Sequence, residues 1–107
     1  RIYMKKVICA ILFVSFLLST SLYASAVKGK FFYAQYLKST CGFNGEIMGK
    51  KHTVSEWKSF HDNHQLYLAI KVLCPKAPVI TEEKDLTNLY HFLSSFASDS
   101  GNVPSCN

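Results

Sequence analysis

One stretch constrains this chain more than any other: Gly49-Lys50-Lys51-His52-Thr53-Val54-Ser55-Glu56-Trp57. Thr53 and Glu56 stand at capping-box spacing. The Thr53 hydroxyl can accept from the backbone N–H of Glu56, and the Glu56 carboxylate can reach back to the N–H of Thr53. A helix therefore starts at Val54, and the only Trp lies in its first turn. His52 precedes the cap and Trp57 follows it at the two positions where a staple contact forms, although imidazole is a weak staple. The stretch dictates architecture and carries no chemistry of its own.

The N-terminal region reads as an export signal. Lys5 and Lys6 precede an apolar run from Val7 to Leu18, interrupted only by Ser15, and a small-residue segment ends in Ala24-Ser25-Ala26. A positive n-region, an apolar h-region and an A-x-A site are the three parts of a cleaved secretory signal. Cleavage after Ala26 is the first choice and after Ala24 the second. The run falls short of the ~20 residues that a membrane span needs, so no stable membrane anchor is expected after cleavage. Met4 reads as the initiator, with Arg1-Ile2-Tyr3 upstream of it, and Cys9 leaves with the signal. The expected organisation is residues 1–26 as upstream residues and signal, and 27–107 as a single small helical domain in an exported, oxidising compartment.

Removing Arg1, Lys5 and Lys6 from 12 basic residues leaves 9 against 7 acids, so the formal charge falls from +5 to +2. That balance gives no support to nucleic-acid or anionic-membrane binding. So short a domain buries a modest core, and such domains often carry a covalent staple. Cys41, Cys74 and Cys106 remain. An oxidising compartment favours a disulfide, and an odd count leaves one thiol over. The expected bond is Cys74–Cys106, which would tie the tail to the body, with Cys41–Cys106 as the next choice. Cys41 is then the free-thiol candidate.

The remaining pattern is helical. Lys28 to Ser39 reads as a helix with Phe32, Tyr36 and Ser39 on one stripe and Phe31, Ala34 and Leu37 beside it. Thr40 to Gly45 is a turn, with Gly42, Gly45 and Asn44 available for φ > 0. Glu46-Ile47-Met48 forms one turn of helix that Gly49 breaks. Val54 to Asp62 is the capped helix, and Asp62-Asn63 offers the backbone competing local bonds. Gln65 to Leu73 is a helix with Leu66, Ile70 and Leu73 inward, or alternatively a strand; Pro75 ends it. Thr81 is the expected N-cap of a final helix over Glu82–Ser98, in which Leu86, Leu89, Tyr90, Leu93, Phe96 and Ala97 give the clearest 3.6-residue period.

Chemistry is sparse. No nucleophile elbow, phosphate-binding glycine loop or H-E-x-x-H occurs, and the chain does not read as an enzyme. His61 and His64 are spaced to hold a transition metal if the helix continues past Asp62, but no Cys or carboxylate pattern completes a zinc site. Covalent haem requires C-x-x-C-H, and Cys41 is followed by Gly42-Phe43-Asn44. Non-covalent haem stays open, on His52 with Met48 or on His61 with His64.

Several segments resemble a family of short exported bacterial proteins described as cytochrome c-like although they lack the haem-attachment motif. They are Gly29-Lys30-x-Phe32, Cys41-Gly42-x-x-Gly45, Lys51-His52-Thr53-x-x-Glu56-Trp57, Cys74-Pro75, and Leu89-Tyr90-x-Phe92 followed by Ala97-Ser98-Asp99-Ser100-Gly101-Asn102-Val103-Pro104-Ser105-Cys106. The resemblance implies an all-α fold, a small cytochrome c-like bundle of three to four helices with crossing N- and C-terminal helices. It also implies periplasmic electron transfer beside respiratory or redox partners. The missing C-x-x-C-H is the departure. The leading expectation is thus a cytochrome c-like protein without covalent haem, and the alternative is a disulfide-stapled binding or adaptor protein with no redox role.

Overall fold

The computed structural model describes residues 22–102. The apolar run and lysines of the expected signal lie outside that range, as do Val103 to Asn107, Cys106 among them. The described residues form six helices and no strand: α1 over 22–36, α2 Lys38–Cys41, α3 Gly45–Gly49, α4 Val54–Asp62, α5 Leu66–Leu73 and α6 Glu83–Ser95. The all-α expectation holds, and α5 is a helix rather than a strand. Residues 22–26, expected in the leader, are helical here and continuous with the rest of α1.

The last helix is the base on which the others sit. Its period puts Leu89, Phe92 and Leu93 inside the core, with Leu86 and Tyr90 packed against its margin. On α1 the buried column is Gly29, Tyr33 and Leu37, each four residues on from the last. This displaces the expected Phe32–Tyr36 stripe by one residue. Those two rings meet at a tilt, 4.8 Å apart, along the flank of the core, and Tyr36 is exposed. The physical reason is backbone approach. A Cβ on Gly29 would lie 2.0 Å from the Asn88 carbonyl oxygen and 2.8 Å from Phe92 Cβ. The column that can come closest to α6, not the one with the largest side chains, faces inward. Ser25 adds a second tie, its hydroxyl donating to Asn88 Oδ1 at 2.7 Å.

A short break at Leu37 separates α1 from α2, which ends on Gly42 in the left-handed region with φ 83°. The chain then enters α3, where Gly49 closes the helix instead of breaking it. Its missing side chain lets α3 settle against the Leu93 carbonyl and Phe96. The α3 turn thus delivers Met48 into the core at 0% exposure.

At α4 the expected capping box is present, with Thr53 Oγ1 accepting from the Glu56 N–H and the Thr53 N–H donating to Glu56 Oε1. A further acceptor comes from the distant tail: Val54 N–H donates to Asp99 Oδ1 at 2.8 Å. Glu56 and Asp99 therefore both place negative charge at the positive end of the helix dipole. Trp57 is fully buried and its indole N–H donates to the Gly49 carbonyl at 2.8 Å, which locks α4 to α3. The expected staple contact forms edge-on between the His52 and Trp57 rings, at 4.9 Å.

Both boundaries of the last helix shift, and the first helix ends at residue 36 rather than at Ser39. The N-cap of α6 is Glu82, with no side-chain bond, rather than Thr81, and the helix ends at Ser95 rather than Ser98. The chain then turns so that Ser98 N–H reaches the His52 carbonyl, which brings Asp99 to α4.

The disulfide joins Cys41 to Cys74, with Cα atoms 5.2 Å apart. This corrects the expected Cys74–Cys106 bond and its alternative Cys41–Cys106, and Cys41 is not a free thiol. Both cysteines sit at the C-terminal ends of helices, α2 and α5, and those two ends meet at the bond. Tertiary neighbourhood, not proximity to the chain end, decides the pairing.

Candidate functional site

The paired residues expected to hold a cofactor do not converge. His52 borders an apolar groove of about 360 Å³ with Phe60, Gln65, Leu68, Ala69 and Val72. Its ring is set edge-on against Trp57 and Phe60, at 4.9 Å from each, and Nδ1 lies 3.7 Å from Glu56 Oε2. Met48 is enclosed in the core and takes no part in lining that groove. An axial pair must present its nitrogen and sulfur to opposite faces of one macrocycle. A thioether with no exposed surface offers no such face, so His52 and Met48 as arranged do not fit a shared haem.

His61 and His64 fall on either side of a helix end. The α4 helix stops at Asp62, Asn63 caps it, and His64 takes a positive φ of 56°. His61 turns to α6, where Nε2 is 3.2 Å from Thr87 Oγ1 and the ring stacks on Tyr90 at 4.5 Å. Tyr90 in turn meets His91 at 5.0 Å. Burial, with a smaller contribution from His61, holds the His91 imidazole below its ordinary pKa. Among the described residues no three His, Cys, Asp or Glu side chains gather as metal ligands.

The charged residue that stands out is one the sequence pattern passed over. Glu46 is the only buried charged residue among those described, at 8% exposure. It borders a cleft of about 220 Å³ formed where α1, α2 and α3 meet the face of α6, with Lys30, Tyr33, Lys38, Gly45 and Phe92 around it. The local cause is the glycine pair of α3. A Cβ on Gly45 would lie 2.2 Å from the Phe92 ring, and Gly49 meets the Leu93 carbonyl. Bare backbone at both ends lets α3 sink toward α6, and the carboxylate between them goes down as well. Glu46 Oε1 has Lys30 Nζ at 4.0 Å, the outer limit of an ion pair.

Tyr33 forms one wall. Its hydroxyl donates to the Phe43 carbonyl at 2.7 Å, and its ring lies 6.2 Å from that of Phe92. Burial first, and the nearby Glu46 charge second, push the phenol up to about 12, so it stays protonated at neutral pH. The wall is thus uncharged and fixed. The cleft offers one anionic side chain, two cationic ones at the rim, the Asn44 amide and two aromatic rings. A lone Glu in the run Gly45-Glu46-Ile47-Met48-Gly49 was the available sequence signal.

No protein-family model, curated protein or solved structure matches this chain.

Proposed function

We propose that this chain is an exported binding protein that holds a small molecule in the Glu46 cleft and has no redox role of its own. The observation that carries the reading is the Glu46 carboxylate, buried beside a cavity with one ion-pair partner at the limit of contact. Burying a charge without close pairing is costly. A cationic group entering the cleft would supply Glu46 with a closer partner than Lys30 does. The Cys41–Cys74 bond is compatible with export to an oxidising compartment such as the periplasm. In this reading the α1–α6 contact at Gly29 belongs to a cytochrome c-like arrangement of crossing terminal helices, used as a scaffold without covalent haem. Fold and function separate readily in this way.

Electron transfer beside periplasmic respiratory proteins is the second reading. It draws on the resemblance of the motifs and on His52, whose ring borders an open apolar groove. Intact mass and the visible spectrum of the protein purified from the periplasm of a haem-maturing host separate the two. The binding reading expects a colourless protein with the mass of the disulfide-bonded chain. A Soret band lost in His52→Ala would replace it with non-covalent haem.

A further inference from the structure

The charges of the cleft specify a ligand class. Lys30 on α1 and Lys38 on α2 are exposed where they line the cleft, whereas Glu46 is buried. A simple anion would gain the two amines but confront the buried carboxylate. A simple cation would gain the carboxylate but pass two amines. A molecule that carries an ammonium and a carboxylate a few ångströms apart satisfies both signs at once. Its ammonium replaces Lys30 as the close partner of Glu46. Lys30, 63% exposed at its side chain and held only at 4.0 Å, is then released to join Lys38 on the ligand carboxylate.

Size and lining narrow the class. The cleft, about 220 Å³, lies between the ~150 Å³ cavity that accepts benzene and the ~300 Å³ lower bound of drug-sized pockets. Roughly ten heavy atoms fit such a space by that comparison. Phe92 and Tyr33 supply aromatic surface next to the charged groups, and the Tyr33 hydroxyl is already committed to the Phe43 carbonyl. Asn44 and Ala34 complete the lining, so the remainder of the ligand is small and meets both polar and apolar surface. We infer that the Glu46 cleft binds a small zwitterion of the free α-amino acid class. The inference rests on the binding function proposed above and names its ligand.

The test is calorimetric titration of the oxidised wild-type protein, freed of bound small molecules by refolding, with L-leucine, isoamylamine and 4-methylpentanoate. The last two each keep one of leucine's two charges. Leucine should bind at least about tenfold tighter than either, because each lost charge-assisted bond is worth that order. Glu46→Gln should lose leucine by at least about tenfold while keeping the wild-type circular dichroism. Lys38→Gln, on the exposed rim, should weaken it about three- to tenfold by the same reasoning. Equal binding of the amine or of the carboxylate overturns the zwitterion, as does a Glu46→Gln protein that retains affinity, or no heat with leucine up to about 10 mM. Native mass spectrometry of protein taken directly from the periplasm separates this failure from failure of the function. A co-purified non-zwitterionic small molecule that Glu46→Gln loses would keep the binding reading and discard the amino acid. A haem adduct would discard both.

Discussion

Removal of the Cys41–Cys74 bond gives the most decisive stability test. The bond joins residues 33 apart. In the chain-entropy treatment a closed loop of that length removes ~2.1 + 1.5R ln n, or about 12.5 cal/mol/K, from the unfolded chain, which is about 3.7 kcal/mol at 25 °C. Cys41→Ser or Cys74→Ser should therefore lower the unfolding free energy by about 2–5 kcal/mol, the measured span for native disulfides in small domains. That is a large share of the roughly 4–12 kcal/mol expected for a domain of about 80 residues. Urea unfolding followed by Trp57 fluorescence reads it directly, since the indole is buried in the core. Wild-type protein in reductant should match the two serine variants, and Cys106→Ser should unfold with the wild-type midpoint. A Cys106→Ser loss equal to that of Cys74→Ser would refute the pairing. Wild-type stability in Cys41→Ser would refute the entropic estimate along with it.

Other perturbations have clear signs. Gly29→Ala should gain up to about 1 kcal/mol of helix propensity and lose more, because the new Cβ meets the Asn88 carbonyl at 2.0 Å. A net loss of about 1–3 kcal/mol, the usual cost of overpacking, should appear in urea, and a more stable variant would show that α1 and α6 are not in backbone contact. Thr53→Ala should cost about 1 kcal/mol through the lost cap, and Asp99→Ala about 0.5–1 kcal/mol, both by thermal melts monitored at 222 nm. The depressed His91 pKa means that the unfolded chain binds the proton more readily, so its contribution is full above the ordinary value of 6.5 and declines as pH falls below it toward the lower folded value. His91→Gln should flatten that part of the stability–pH profile, and an unchanged slope would exclude His91 as its source.

Local signals were legible and tertiary ones were not. The Thr53–Glu56 pair specified the start of α4 because both capping partners lie within four residues of sequence. The α6 period was readable because Leu89 and Leu93 repeat at helical spacing over a long element. By contrast, the inward column of α1 is set by the α6 backbone at Asn88, which no feature of residues 28–39 announces. Asp99 caps a helix that begins 45 residues earlier. Cys41 was misassigned because pairing depends on which helix ends become neighbours. Glu46 was placed in a single helical turn and given no role, since its burial follows from the descent of two flanking glycines onto another helix. The candidate site was thus nearly invisible in the sequence, although every residue in it was in plain sight.

The seat of α1 also orders events in time. A polypeptide is made from its N-terminus, so α1 exists long before the helix that carries Asn88 and Phe92. Until that last segment emerges, Gly29 has no helix to seat against and Tyr33 lacks its Phe92 neighbour, so this face of α1 remains available to a chaperone or to another nascent chain. The Cys41–Cys74 bond lies wholly within the part synthesised earlier. Oxidation can therefore secure the middle of the molecule while its two terminal helices are still apart, and maturation ends with their meeting.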